Sequence, residues 1–195
     1  MAVNPSFPAQ TIQEFIAYAK VHTGTINIAT LGNGSPQHIF DALFEMMTGV
    51  ELVHVPYRTG AQAMTALEGG QVQAFFGATP VMIEHINAGR MRGLAVTTAE
   101  RVAALPNIPA MAEAVPGYAA SDWLGFGAPK GTPADIVELL NRTINTGLAD
   151  PQIKERLTTQ GLVLNGSPSD FGKLIGSETQ KWAEVVRAGD IKPEQ

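Results

Sequence analysis

Val55-Pro56-Tyr57-Arg58-Thr59-Gly60-Ala61-Gln62-Ala63, followed by Gly69-Gly70-Gln71-Val72, decides how this chain is read. An apolar run ends at a proline. A tight turn, a short helix of small residues, a Gly-Gly stop and the start of a new strand follow. Strand, turn, helix and strand in that order form the repeating unit of an open α/β fold. The turn of such a unit aims backbone N–H groups at the mouth of a sheet, where ligands bind. Upstream, Gly32-Asn33-Gly34-Ser35-Pro36-Gln37-His38 has the same form.

Outward from this unit the cycle recurs. Thr11 is placed to cap a helix, with Glu14 as its capping-box partner and Ile12, Phe15, Ile16 and Ala19 on one face. Gly24 stops that helix, and Thr25 to Leu31 has the apolar pattern of a buried strand. Ser35 caps the next helix, Pro36 opens it, and Gly49 ends it. Its core side is expected to carry Ile39, Phe40, Leu43, Phe44, Met46 and Met47. Strands are predicted over Leu52–Val55, Val72–Phe76 and Leu94–Thr98, with helices over Ala61–Leu67 and Pro80–Asn87. The proline-rich stretch from Arg101 to Gly117 is expected to be irregular, with one helical turn near Ala110 to Ala114. Trp123 to Ala128 reads as a further strand.

After Pro129-Lys130-Gly131-Thr132-Pro133 the pattern becomes helical. Thr132 is expected to cap a helix with the apolar stripe Ile136, Leu139, Leu140, Ile144 and Leu148. Asp150-Pro151 opens a short helix that Gly161 ends. Leu162 to Leu164 reads as a short strand, and Ser167-Pro168 opens a last helix. Alternating strands and helices predict an α/β fold with a mixed sheet flanked by helices. A boundary is expected near Asp122, giving an α/β unit over residues 1–122 and a mainly helical part over residues 123–195.

Composition narrows the function. The 195 residues are 45% hydrophobic and 16% charged, which suits a packed globule. The net charge of −5, with no basic run, argues against a nucleic-acid partner, and none is expected. The absence of cysteine excludes disulfides, thiolate metal sites and a cysteine nucleophile. No stretch approaches the ~20 apolar residues of a membrane span. Met1-Ala2-Val3-Asn4-Pro5 has neither the basic region nor the apolar core of a signal peptide. His22, His54 and His85 are scattered, and no histidine or carboxylate spacing matches a metal motif, so no metal or cofactor is expected. There is no G-x-S-x-G elbow and no Walker loop, which weighs against an enzyme.

Several motifs occur in a fixed order: Asn33-Gly34-Ser35-x-x-His38, Val55-Pro56-Tyr57-Arg58, Gly69-Gly70-Gln71-Val72 and Gly89-Arg90-x-Arg92-x-Leu94-Ala95-Val96-Thr97. Leu105-Pro106-x-Ile108-Pro109, Pro116-Gly117-Tyr118 and Ala128-Pro129-Lys130-Gly131-Thr132-Pro133 follow. In this set the chain resembles the tripartite tricarboxylate transporter receptors, periplasmic solute-binding proteins also called the Bordetella uptake gene family. The resemblance implies a type II periplasmic-binding-protein fold: two α/β domains joined by crossing strands, closing on a small carboxylate. It implies a periplasmic location and membrane permease subunits as partners. Residues 1–122 would be the second domain, and residues 123–195 a crossing strand with the C-terminal helices of the first. The family's signal peptide, opening strands and first glycine-rich loop are expected to have no counterpart here. At Gly77-Ala78-Thr79-Pro80 many members carry an aspartate shortly before the proline, so this chain departs from the family where ligands are told apart.

Three turns are the expected ligand site. Gly32, Asn33, Gly34, Ser35 and His38 form the first, where N–H groups, the helix dipole and two side chains favour an anion. Tyr57, Gly60 and Ala61 form the second, small enough at Gly60 and Ala61 for close backbone approach. Ala78 and Thr79 form the third. The same residues also serve as ordinary helix caps and turns, and a solvated role is expected for Arg58, Arg90 and Arg92. The expected ligand is a di- or tricarboxylate or an acidic amino acid. The alternatives are a non-transporting homo-oligomer held through exposed C-terminal helices, and a small α/β hydrolase or lyase.

Overall fold

Ile28, Ala74 and Val3 face one side of a five-stranded sheet, and Ala29, Phe75 and Ala2 face the other. This period-two division organises the molecule. The computed structural model of the chain describes residues 1–160, 162 and 168–192. Its strands are β1 (Ala2–Val3), β2 (Asn27–Thr30), β3 (Val53–Pro56), β4 (Ala74–Phe75) and β5 (Arg92–Gly93). The sheet order is β3-β2-β4-β1-β5. β2 runs parallel to β3 and β4, and β1 runs antiparallel to β4 and β5, so the sheet is mixed.

The helices are α1 (Ile12–Val21), α2 (Pro36–Thr48), α3 (Gly60–Glu68), α4 (Thr79–Asn87), α5 (Ala134–Leu148), α6 (Pro151–Thr159) and α7 (Pro168–Ala188). α1 and α2 cover the Ile28 face with Ile12, Phe15, Ala19, Phe40, Leu43 and Phe44. α3 and α4 cover the Ala29 face with Ala63, Ala66, Leu67 and Met82. A smaller apolar cluster of Val96, Val102, Leu105 and Ala110 packs beside Ile83 and Ile86 of α4. Tyr118 is fully buried on the first face, and its hydroxyl donates to the Phe40 carbonyl at 2.9 Å. α7 packs back onto α2 through Val185 and a stacked Trp182–Phe40 pair with ring centroids 5.6 Å apart.

The local signals mostly act as their chemistry dictates. Thr11 Oγ1 accepts the Glu14 N–H, while the Glu14 carboxylate accepts from Gln10, one residue before the cap. Ser35 caps α2, Pro36 sits in its first turn, and Gly49 ends it in the left-handed conformation at φ 68°. Asp150 caps α6 with bonds from Gln152 and Ile153.

Other expectations need correction. Met46 and Met47 face outward, because α2 turns only its Phe40–Leu43–Phe44 side to the sheet. The strand expected over Leu94–Thr98 lies two residues earlier, at Arg92–Gly93, and Val96 makes an isolated bridge to Ala110. Trp123–Ala128 is not a strand: none of these residues pairs with a strand among the described residues, and Leu124 and Phe126 are 95% and 82% exposed. Thr132 does not cap α5; its hydroxyl donates to the Pro129 carbonyl at 2.8 Å, and Pro133 takes the capping position without a side-chain bond. α5 buries no residue, and its Ile136, Leu139 and Leu140 stripe is exposed. The Gly161 stop, the rest of the strand expected to reach Leu164 and the Ser167 cap lie outside the described residues.

Arg92 is not a solvated charge. Its guanidinium donates to the carbonyls of Pro5, Phe7 and Ala9 at 2.9–3.1 Å and holds the entry segment against β5. Arg90 is half-exposed and pairs with Glu68 at 3.1 Å, and Arg58 is exposed.

Candidate functional site

The parallel strands β3, β2 and β4 are adjacent, and Thr30 pairs with Pro56 while Ala29 pairs with Phe75. Their C-terminal ends are therefore level to within about a residue, and at ~4.8 Å between neighbours the three exit turns start within about 10 Å. β2 leads to α2 on one face, whereas β3 and β4 lead to α3 and α4 on the other. Loops that diverge to opposite faces leave a crevice at the strand ends, the usual ligand position in open α/β sheets. Three helix N-termini share this edge and give it partial positive charge.

The sequence-predicted residues fall on this edge. Gly32, Asn33, Gly34, Ser35 and His38 follow β2, Tyr57, Gly60 and Ala61 follow β3, and Ala78 and Thr79 follow β4. None of the ten is buried. Some are already engaged. Ser35 Oγ accepts the His38 N–H at 3.3 Å. The Gly34 N–H donates to His38 Nδ1 at 3.1 Å and so turns toward its own helix. That bond places the proton of neutral His38 on Nε2, which leaves this atom a donor. Burial and the nearby His54 both lower the His38 pKa, so the neutral form is favoured. Asn33 donates to the Lys192 carbonyl beyond α7.

Other groups remain open. The N–H groups of Gln37, Gly60, Ala61 and Thr79 have no acceptor among the described residues. These are first-turn groups of helices, which have no partner within their own helix. Thr59, not singled out from the sequence, caps α3 by accepting from Gln62 at 3.3 Å. A Cβ added at Gly60 would meet no atom within 4 Å, so the space above the second turn is free. A cleft of about 210 Å³ adjoins the start of α2, lined by Pro36, Ile39, Phe40, Asp122, Trp123 and Trp182. Burial raises the pKa of Asp122 in its wall.

A second polar group lies behind the first turn. Asp41 and Glu45 project from α2 toward His54 on β3. His54 Nε2 is 2.8 Å from Asp41 Oδ2 and 3.1 Å from Glu45 Oε2. The Asp41 side chain is fully buried, while His54 and Glu45 are about a quarter exposed. Hydrogen bonds to the two carboxylates raise the His54 pKa to about 10, and burial raises that of Asp41 to about 6. His38 packs edge-on against His54 with ring centroids 4.7 Å apart. Sequence spacing read along one element missed this constellation because its members come from two. The available signal was Asp41 and Glu45 four residues apart on one helical face.

The chain matches the model of the tripartite tricarboxylate transporter family receptors over residues 1–191, and it belongs to that family. Protein BugT of Bordetella pertussis is 34% identical over 98% of this chain and 60% of its own length. Among solved structures, an R. palustris protein with adipate superposes with a TM-score of 0.88 at 34% identity, covering 99% of this chain and 65% of that one. MatC from Rhodopseudomonas palustris with bound malate gives 0.82 at 28% identity, covering 95% and 65%. The chain thus spans less than two thirds of each of these relatives. The family and fold are those of periplasmic solute-binding proteins.

Proposed function

We propose that this chain carries the carboxylate-binding wall of a solute receptor for a tripartite tricarboxylate-type transporter. One observation carries the reading: three helix N-termini gather at the C-terminal edge of adjacent parallel strands. The free N–H groups of Gln37, Gly60, Ala61 and Thr79 and the Nε2–H of His38 are donors of the kind a carboxylate accepts. The adipate and malate of two solved relatives support a dicarboxylate, and a tricarboxylate or acidic amino acid presents the same group. The protein acts in the periplasm and delivers its ligand to membrane permease subunits. It binds without turnover.

Residues 1–122 form one lobe of the receptor, and residues 123–195 contribute helices to another. The unburied stripe of α5 and the unpaired run at Trp123–Ala128 support this division. Closure of two lobes on ligand requires higher affinity for the closed arrangement. The same stripe also favours a second reading, a homo-oligomer joined through α5. Light scattering separates the two: a monomer at micromolar concentration removes the oligomer.

Calorimetric titration of the folded chain with C4–C6 dicarboxylates, citrate and acidic amino acids tests the binding role. Saturable heat with at least one of them is expected, together with a loss of about tenfold or more in Gly60→Leu, whose side chain fills the open space over the second turn. No heat with any of these acids overturns the reading.

A further inference from the structure

We propose that Asp41, Glu45 and His54 form a binding site for one divalent cation of the zinc type, a site separate from the carboxylate wall. The three residues offer one imidazole nitrogen and two carboxylate oxygens, all within 4.8 Å of one another. Four-coordinate zinc with bonds of about 2.1 Å places its donor atoms about 3.4 Å apart. The observed 2.8 and 3.1 Å distances to His54 are a few tenths of an ångström short of this, and the two carboxylate oxygens lie within 4.8 Å of each other.

Asp41 supplies the independent observation. Its side chain has no exposure; Oδ2 lies 2.8 Å from His54 Nε2, and Oδ1 has no hydrogen-bond partner among the described residues. His54 Nε2 lies within 3.1 Å of both carboxylates, so Asp41 and Glu45 meet at the one nitrogen that would ligate the cation. A buried carboxylate is costly unless positive charge meets it; protonated His54 supplies one charge here, and a divalent cation in its place supplies two. The neighbouring donors are also held in place. Glu45 Oε1 accepts the Leu52 N–H at 2.6 Å, which orients its other oxygen toward His54. Such outer contacts fix the geometry of metal ligands.

The mixed nitrogen and oxygen set favours zinc, cobalt or nickel over magnesium or calcium, which take six or more oxygens. The exposed sides of His54 and Glu45 give an entry path, and water completes the fourth position. The cation displaces the proton from His54, because only neutral imidazole ligates a metal. Protein-bound His⁺ and M²⁺ become protein-bound M²⁺ and a proton released to solvent, so charge balances.

Titration of the 195-residue chain with Co²⁺ and Zn²⁺ tests the assignment. One Co²⁺ per chain is expected, with the visible absorption of a four-coordinate site that Zn²⁺ abolishes. Calorimetry in two buffers of different ionisation heat is expected to show about one proton released. Asp41→Asn, Glu45→Gln and His54→Gln should each weaken binding at least tenfold, whereas His85→Gln, in the surface group with Glu68 and Arg90, should not. Circular dichroism identifies which variants are folded, and Glu45→Gln at a partly exposed position keeps the test open if Asp41→Asn unfolds. Absence of the Co²⁺ spectrum, or unchanged affinity in the folded variants, overturns the proposal.

Discussion

His54 owes its charge to two carboxylates that reach it from another element. Asp41 and Glu45 hold its pKa near 10, above the 6.5 of a free histidine. A raised histidine pKa stabilises the fold fully below the unfolded value, and that stability is lost as pH rises through the folded one. Melting temperature is therefore expected to fall between about pH 6.5 and 10, and His54→Gln should flatten the fall. Asp41 acts in the same direction at lower pH. Its carboxyl is raised by burial from 3.8 to about 6, so its ionisation weakens the fold across that interval. A wild-type melting curve insensitive to pH over both windows would remove this account. Tyr118→Phe tests a different kind of single-residue effect. Loss of its bond to the Phe40 carbonyl should cost roughly 0.5–1.5 kcal/mol in urea unfolding.

Elements answer to their ends. Ser35 and Thr132 look alike in sequence, each next to a proline before an amphipathic run. Only Ser35 has its oxygen on a helix N–H. Ser35→Ala is expected to destabilise by ~1 kcal/mol. Thr132→Ala should stay within about 0.5 kcal/mol, as exposed substitutions away from such features do. Equal losses at both positions would contradict the assigned capping. The turn between β4 and α4 obeys a space constraint instead. A Cβ at Gly77 would overlap the Met82 side chain and the Phe75 ring. Gly77→Ala should cost about 1–3 kcal/mol through overpacking, measured by the same unfolding.

On the scale of the whole molecule, residues packed on the sheet and residues of α5 and α6 differ in what they bury. The two faces of the sheet hold large buried side chains, while α5 and α6 bury none. Contiguous exposed apolar surface of this kind usually marks an interaction surface. Leu140→Glu should leave the unfolding midpoint nearly unchanged, since Leu140 is already 49% exposed. It should reduce any self-association seen by sedimentation. A large drop in stability would show that the stripe is packed within the chain.

Local chemistry sufficed wherever neighbours in sequence complete the structure. The caps at Thr11, Ser35 and Asp150, the Gly49 stop and the strand–turn–helix units could be read because the atoms involved lie within about one helical turn. The family followed from the order of the turn motifs, and their placement at strand ends brought the expected site residues to one edge. Only the tertiary structure decided where Trp123–Ala128 and the α5 stripe point, because strand pairing and burial need a partner that periodicity does not name. It alone joined Asp41 and Glu45 to His54, and Arg92 to the carbonyls at 5, 7 and 9, because those contacts cross from one element to another.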